Sequence, residues 1–262
     1  MSIYFKETGN PSAKTIVFIH GGGISGWMWD KQLYYFKNYH CIVPDLPEHG
    51  KSINEGQISI KESADIIADI IKKHAEAGKA HVVGHSLGAK IIVELLNSNS
   101  EVIDHAVIAS ALFRPIPYLK LTHKSFFYNL TVSMLKSDWL LNLQVKQFKF
   151  PDKQSCDNLK KDFKSLTADM LYRTYDELYQ NLTLPKGLNK ANVPTLILTG
   201  EREPKAMKES VKDMLSQLPN SKGTYMKNGL HTYPWVMQDT FNELIDSWIN
   251  DRDINNKNVI ML

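Results

Sequence analysis

The chain has 262 residues, enough for one large domain or for a core carrying a modest insertion. Its 43% hydrophobic and 23% charged residues are ordinary for a globular protein, and no apolar run approaches the roughly 20 residues that span a bilayer. A net charge of +3, from 31 basic and 28 acidic residues, is too small and too scattered to mark a nucleic-acid surface, so neither a membrane nor a nucleic-acid partner is expected.

The N-terminus, MSIYFKETG, lacks the basic start and long apolar stretch of a secretory signal. With only Cys41 and Cys156 present, a cytoplasmic chain with reduced thiols is expected. From there, apolar β-rich runs alternate with amphipathic ones. The strand-like runs are TIVFI from Thr15, HCIVPD from His40, HVVG from His81, HAVIAS from His105 and TLILTG from Thr195. This βαβ rhythm predicts an α/β fold with a mostly parallel sheet flanked by helices. SIKESADIIADIIKKHAEAG reads as one such helix, capped by Ser59 or Ser63 and stopped by Gly78. The rhythm breaks over 113–190, which is rich in Lys, Leu, Phe and Tyr and has no comparable strand run. A helical subdomain inserted into a core of 1–112 and 191–262 is predicted. Beyond it come a helix to about Leu218, a short strand in GTYMKNG, and a last helix from about Pro234 to Asn250.

The stretch AHVVGHSLGAKIIVELL carries the strongest chemical signal. HVV supplies a buried strand, AKIIVELL a helix, and GHSLG the turn that joins them: a nucleophile elbow. A side chain at Gly84 or Gly88 would collide with a neighbouring element, and the tight turn forces Ser86 into a strained conformation that lifts its hydroxyl clear. The helix N-terminus behind Ser86 favours developing negative charge.

An activated serine needs a base. His20 and His49 sit beside glycines in loops, His85 is inside the elbow, and His81 and His105 open strands; His40, His74 and His123 have no partner motif. His231, in KNGLHTYPW between the last strand and the last helix, lies on a loop able to reach the C-terminal sheet edge. The orienting acid falls in TLILTGEREP, where Glu203 is favoured and Glu201 competes if the loop shifts register. No His/Cys cluster has metal-ligand spacing, and neither a phosphate-cradling nor a dinucleotide motif occurs, so no metal, nucleotide or other cofactor is expected.

Strand, GHSLG elbow, helix, insertion, LTGEREP and late loop histidine together resemble the α/β-hydrolase fold superfamily over nearly the whole chain, most weakly in the insertion. The order Ser86, Glu203, His231 is that of the superfamily's triad. The resemblance implies an oxyanion hole in HGGGISGWMW, formed by the amides of Gly22 and Leu87 with Gly23 as second choice. It also implies a helical cap over the serine that selects the substrate, with Trp27 and Trp29 as pocket neighbours for a small acyl or aryl group. Two positions depart from the pattern: Glu203 stands where relatives usually have Asp, and Glu48 in PDLPEHGKS where they commonly have Gly. Asp45 and His49 of that segment read as scaffolding. The implied activity is a serine hydrolase, a carboxylic ester hydrolase working on a small molecule through an acyl-enzyme. The alternatives are a ligand receptor with retained triad, an acyltransferase, and a C–C hydrolase, whose loop usually has Pro in place of Ile24.

Overall fold

TIVFI, HCIVP, AHVVGH and TLILTG are buried at every position, the signature of strands covered on both faces. A computed structural model describes residues 2–116 and 123–262. Its strands are β1 (Phe5–Thr8), β2 (Thr15–Ile19), β3 (His40–Pro44), β4 (Ala80–His85), β5 (Ile103–Ala109), β6 (Thr195–Gly200), β7 (Ser221–Met226) and β8 (Val259–Met261). They form one eight-stranded sheet in the order β1-β3-β2-β4-β5-β6-β7-β8. Only the edge strands run against the rest, β1 on β3 and β8 on β7. Because the inner strands are parallel, the segments after β2, β3, β4, β5, β6 and β7 all emerge at one edge, where ligand sites of such sheets form.

Helices close both faces. On one side, α2 (Ile60–His74) and α3 (Leu87–Ser98) bury Ile67, Ile71, Ile91 and Ile92 against Val17, Val82 and Ile108. All four isoleucines are fully buried, each contributing about 1.5–3 kcal/mol. Ser59 caps α2, its hydroxyl accepting from the Glu62 amide; the helix ends at His74, ahead of the expected stop at Gly78, which instead takes a left-handed φ of +68° in the following turn. On the other side, α1 (Asp30–Tyr35) packs with Trp29, Phe18 and Phe241. No helix among the described residues is long and apolar enough to cross a membrane.

Between β5 and β6 the described residues form α4 (Ser125–Leu135), α5 (Asp138–Phe148), α6 (Lys153–Ser165) and α7 (Ala168–Gln180). Asp152 and Thr167 cap α6 and α7 by accepting from the amides of Ser155 and Met170. Part of the expected helical stretch 113–190, residues 117–122, lies outside the described residues. After β6 come α8 (Lys205–Gln217), α9 (Tyr233–Val236) and α10 (Gln238–Ile249), so the expected last helix is broken at Met237.

Two sets of contacts fasten these helices to the rest of the fold. Asp162 of α6 accepts from the Ser25 amide and hydroxyl and from Trp27 Nε1 at 2.7–2.8 Å, and Phe150 stacks on Trp235, 4.7 Å between centroids. Arg173 of α7 donates from Nε to Glu48 at 2.9 Å, and buried Lys90 of α3 donates to the carbonyls of Leu112, Leu178 and Asn181. Glu48 has a φ of 65°, which explains the preference for glycine there. Its side chain offsets that strain by holding both Arg173 and the Ile58 amide.

Candidate active site

The β4–α3 corner is as tight as its glycines suggest. A Cβ on Gly84 would lie 2.5 Å from the Gly88 carbonyl oxygen, and one on Gly88 would lie 2.3 Å from that of Ile19. Ser86 between them has φ 55° and ψ −111°, a conformation an L-residue adopts only under constraint from its surroundings. Its amide donates to the Ala109 carbonyl, so the neighbouring strand holds the elbow from behind.

The segment after β2 lies against this corner, a Cβ on Gly21 falling 3.4 Å from that of Ser86. The amides along it are unequally committed. Gly23 donates to His49 Nε2 at 3.0 Å and Gly26 to Asp45 Oδ1 at 2.8 Å, whereas those of Gly22 and Leu87 have no acceptor among the described residues. This separates Gly22 from Gly23, which the composition of the loop leaves open. His20 and His49 hold the segment as neutral rings, accepting from the Leu46 and Gly23 amides through Nε2. Burial holds both imidazoles down at about 4.

The two candidate acids differ just as sharply in what they touch. Glu203 is 5% exposed, and its Oε2 accepts from His231 Nδ1 at 2.8 Å. Its Oε1 accepts from the Ser110 hydroxyl at 2.6 Å, the Gly200 amide at 2.9 Å and the Thr199 hydroxyl at 3.0 Å. Burial alone would raise this carboxyl, but the His231 hydrogen bond and charge, with Ser110 and Gly200, outweigh it and hold it at about 2. Glu201 is turned away, its carboxylate accepting from the Asn228 amide. Gly200 makes the approach possible: a Cβ there would sit 2.4 Å from the Gly229 carbonyl, on the turn that leads to His231.

Sequence reasoning missed three contributors. Ser110, directly after β5, donates to Glu203, and Tyr233 lies 3.1 Å from its hydroxyl, so a Tyr233–Ser110–Glu203 relay gives every proton an acceptor. His85, inside the elbow, places Nε2 3.0 Å from the His231 carbonyl and its ring 4.5 Å from the His231 ring. Burial, with the neighbouring His231 charge, pushes its imidazole to about 3, leaving it a neutral donor. The signal for it was present in GHSLG, where the histidine precedes the serine on a strand that ends beside the late loop.

The aromatic expectation needs correcting. Trp29 is fully buried between Phe18 and Phe241, 5.3 and 6.1 Å away, and belongs to the core rather than to a pocket. Trp27 is half-buried; it joins Asp162 and Phe150 and lines a cleft of about 290 Å³ with Tyr4, Lys51 and Asp162. Ser86 Oγ and His231 Nε2 have no hydrogen-bond partner among the described residues, and the His231 side chain is 46% exposed.

A family profile described as "Alpha/beta hydrolase family" matches residues 16–244. The chain belongs to the α/β-hydrolase family. An AB hydrolase superfamily protein of Gibberella zeae is 34% identical to this chain over 107 residues, 40% of this chain and 38% of that protein. The (E)-2-((N-methylformamido)methylene)succinate hydrolase of Acinetobacter baylyi is 20% identical over 255 residues, 94% and 93% of the two chains. Among solved structures, a thermophilic esterase from Thermogutta terrifontis shares the fold with a TM-score of 0.73 at 16% identity, over 95% of this chain and 93% of that one.

Proposed function

We propose that this α/β-hydrolase is a cytoplasmic serine hydrolase that cleaves small carboxylic esters with an apolar acyl or aryl part. The observation that carries the reading is the His231–Glu203 pair, 2.8 Å apart on the sheet edge where the strained Ser86 emerges. Glu203 accepts the Nδ1 proton and so keeps the Nε2 lone pair available. His231 Nε2 takes the Ser86 proton as Oγ attacks the ester carbonyl. The oxyanion is stabilised by the amides of Gly22 and Leu87, the latter at the N-terminus of α3. His231 then protonates the leaving alcohol, and a water deprotonated by the same nitrogen releases the acid. His85 and Ser110 act through His231 and Glu203 as positioning residues.

The helices of 113–190 serve as the cap, since they contact both segments flanking the serine: the loop after β2 through Asp162 and the His231 loop through Phe150. The esterase relative and the hydrolase of similar length lend support to hydrolytic chemistry. Unpaired Cys41 and Cys156 are in keeping with a reducing compartment.

The test is fluorophosphonate labelling with peptide mapping, alongside steady-state turnover of a panel of p-nitrophenyl esters, amides, lactones and diketones. Label on Ser86 alone and multiple turnovers of short esters, both abolished in Ser86→Ala, are expected. Label elsewhere, or an alanine variant with undiminished turnover, would remove the reading. Labelling without turnover would favour a ligand receptor instead.

A further inference from the structure

The opposite edge of the sheet carries a cluster that the hydrolytic reaction does not use. β4 and β5 pair at Ala80 with Ile103 and again at Val82 with Ala106, so one residue, His81, faces two, Asp104 and His105. Such a bulge re-aims side chains. Here it turns both histidines toward one carboxylate: His81 Nδ1 is 3.6 Å from Asp104 Oδ2, and His105 Nδ1 is 3.6 Å from Asp104 Oδ1. One ligand atom from each of the three residues falls within 4.8 Å of the others.

At 3.6 Å these are not hydrogen bonds. His81 is 1% exposed, and both its ring nitrogens, with Nδ1 of His105, have no hydrogen-bond partner among the described residues. Buried polar atoms are nearly always partnered, and two buried imidazoles aimed at one carboxylate without bonding it are anomalous as packing. His105 completes the pattern. Its Nε2 is 3.1 Å from Asp251 Oδ1, which places the ring proton there and leaves the Nδ1 lone pair facing Asp104. A carboxylate on the remote nitrogen of an imidazole is the usual way of orienting a metal-bound histidine.

We propose that His81, Asp104 and His105 bind a divalent transition-metal ion of the Zn²⁺ class through two imidazole nitrogens and one carboxylate, with Asp251 orienting His105. The donor set suits Zn²⁺, Ni²⁺ or Cu²⁺ and disfavours Ca²⁺ and Mg²⁺, which take oxygen ligands. Tetrahedral Zn²⁺ with bonds of about 2.0–2.2 Å sets its ligands roughly 3.3–3.5 Å apart, so closure asks only for small side-chain rotations. Asp104 is half-exposed and provides the entry path. The site runs against the absence of a metal expected from sequence spacing, because the bulge, not the chain order, brings the three residues together. His81 and Ser86 lie at opposite ends of β4, about 16 Å apart at strand rise, so the ion would clamp β4, β5 and the turn after α10 rather than join the chemistry.

The test uses the full, tag-free chain after chelator treatment. Isothermal titration with Zn²⁺ should give one site, Zn²⁺ should raise Tm, and Co²⁺ should produce the visible d–d bands of a low-symmetry site. Asp104→Asn and His105→Asn should weaken binding at least 10-fold and abolish the Tm shift, and Asp251→Asn should weaken it 10–100-fold. Asp104→Asn carries the test if a histidine variant fails to fold, since its side chain is half-exposed. His231→Asn should leave the titration unchanged, which separates this site from zinc caught at the reactive edge. No saturable heat and no Tm shift in the unmodified chain, or Asp104→Asn binding Zn²⁺ as tightly as the parent, would overturn the proposal.

Discussion

Glu203→Gln probes the candidate triad through one hydrogen-bond count. Oε1 accepts three donors, Ser110, Thr199 and Gly200, while Oε2 accepts one, from His231. The glutamine carbonyl must therefore occupy the three-donor side, and its NH₂ is driven toward His231. That forces the Nδ1 lone pair to accept and moves the imidazole proton to Nε2, the nitrogen that must receive the serine proton. A tautomer error of this kind costs about 10⁴ in kcat, or roughly 5.5 kcal/mol. Stability should fall less. Glu203 is held at about 2 against a usual value of 4.5, a difference worth roughly 3 kcal/mol at neutral pH. The folded value is depressed, so this contribution is present above pH 4.5 and lost as the pH falls toward 2; parent and variant should converge in acid. The assay is kcat and KM on a short p-nitrophenyl ester, with urea unfolding from pH 7 to 3. Glu201→Gln, which leaves His231 untouched, should change kcat less than about 2-fold against that 10⁴. A Glu203→Gln kcat within tenfold of the parent, or a larger loss in Glu201→Gln, would refute the assignment.

Gly88→Ala places a methyl 2.3 Å from the Ile19 carbonyl oxygen, and a backbone collision of that size should destabilise by about 4 kcal/mol or more, seen as a Tm loss of about 8 °C or greater. A loss below about 3 °C would mean the elbow is looser than described. His20, His49 and His85 are held at about 4, 4 and 3, below the 6.5 of an unfolded chain. Over that window the unfolded state binds more protons, so stability should drop as pH falls from 6.5 toward 4, with a slope of at most about 4 kcal/mol per pH unit; urea midpoints that stay level from pH 7 to 5 would contradict this. Lys90→Met leaves the carbonyls of Leu112, Leu178 and Asn181 without their donor and should loosen the insertion, read as faster limited proteolysis within 113–190; an unchanged cleavage rate would show that Lys90 is no clasp.

What the sequence determined by itself was local. Uninterrupted β-rich runs specified buried parallel strands, because a strand covered on both faces leaves no exposed position. GHSLG specified the elbow, because only glycine fits where β4 meets α3. The late histidine and the acid after β6 were legible for the same reason: parallel strands deliver their following segments to one edge. Tertiary structure decided the pairings across distance. Glu203 and not Glu201 reaches His231, 28 residues on, because Gly200 lets the Gly229 turn close over it. Ser110 serves a carboxylate 93 residues away, and Gly22 keeps its amide while His49 takes that of Gly23. Trp29 has the composition of a pocket residue but points inward to Phe18 and Phe241. His81 meets Asp104 and His105 only because one strand slips by a residue against the next. Periodicity reports which face of an element is covered, whereas which side chain meets which depends on the register and crossing of elements that no local pattern encodes.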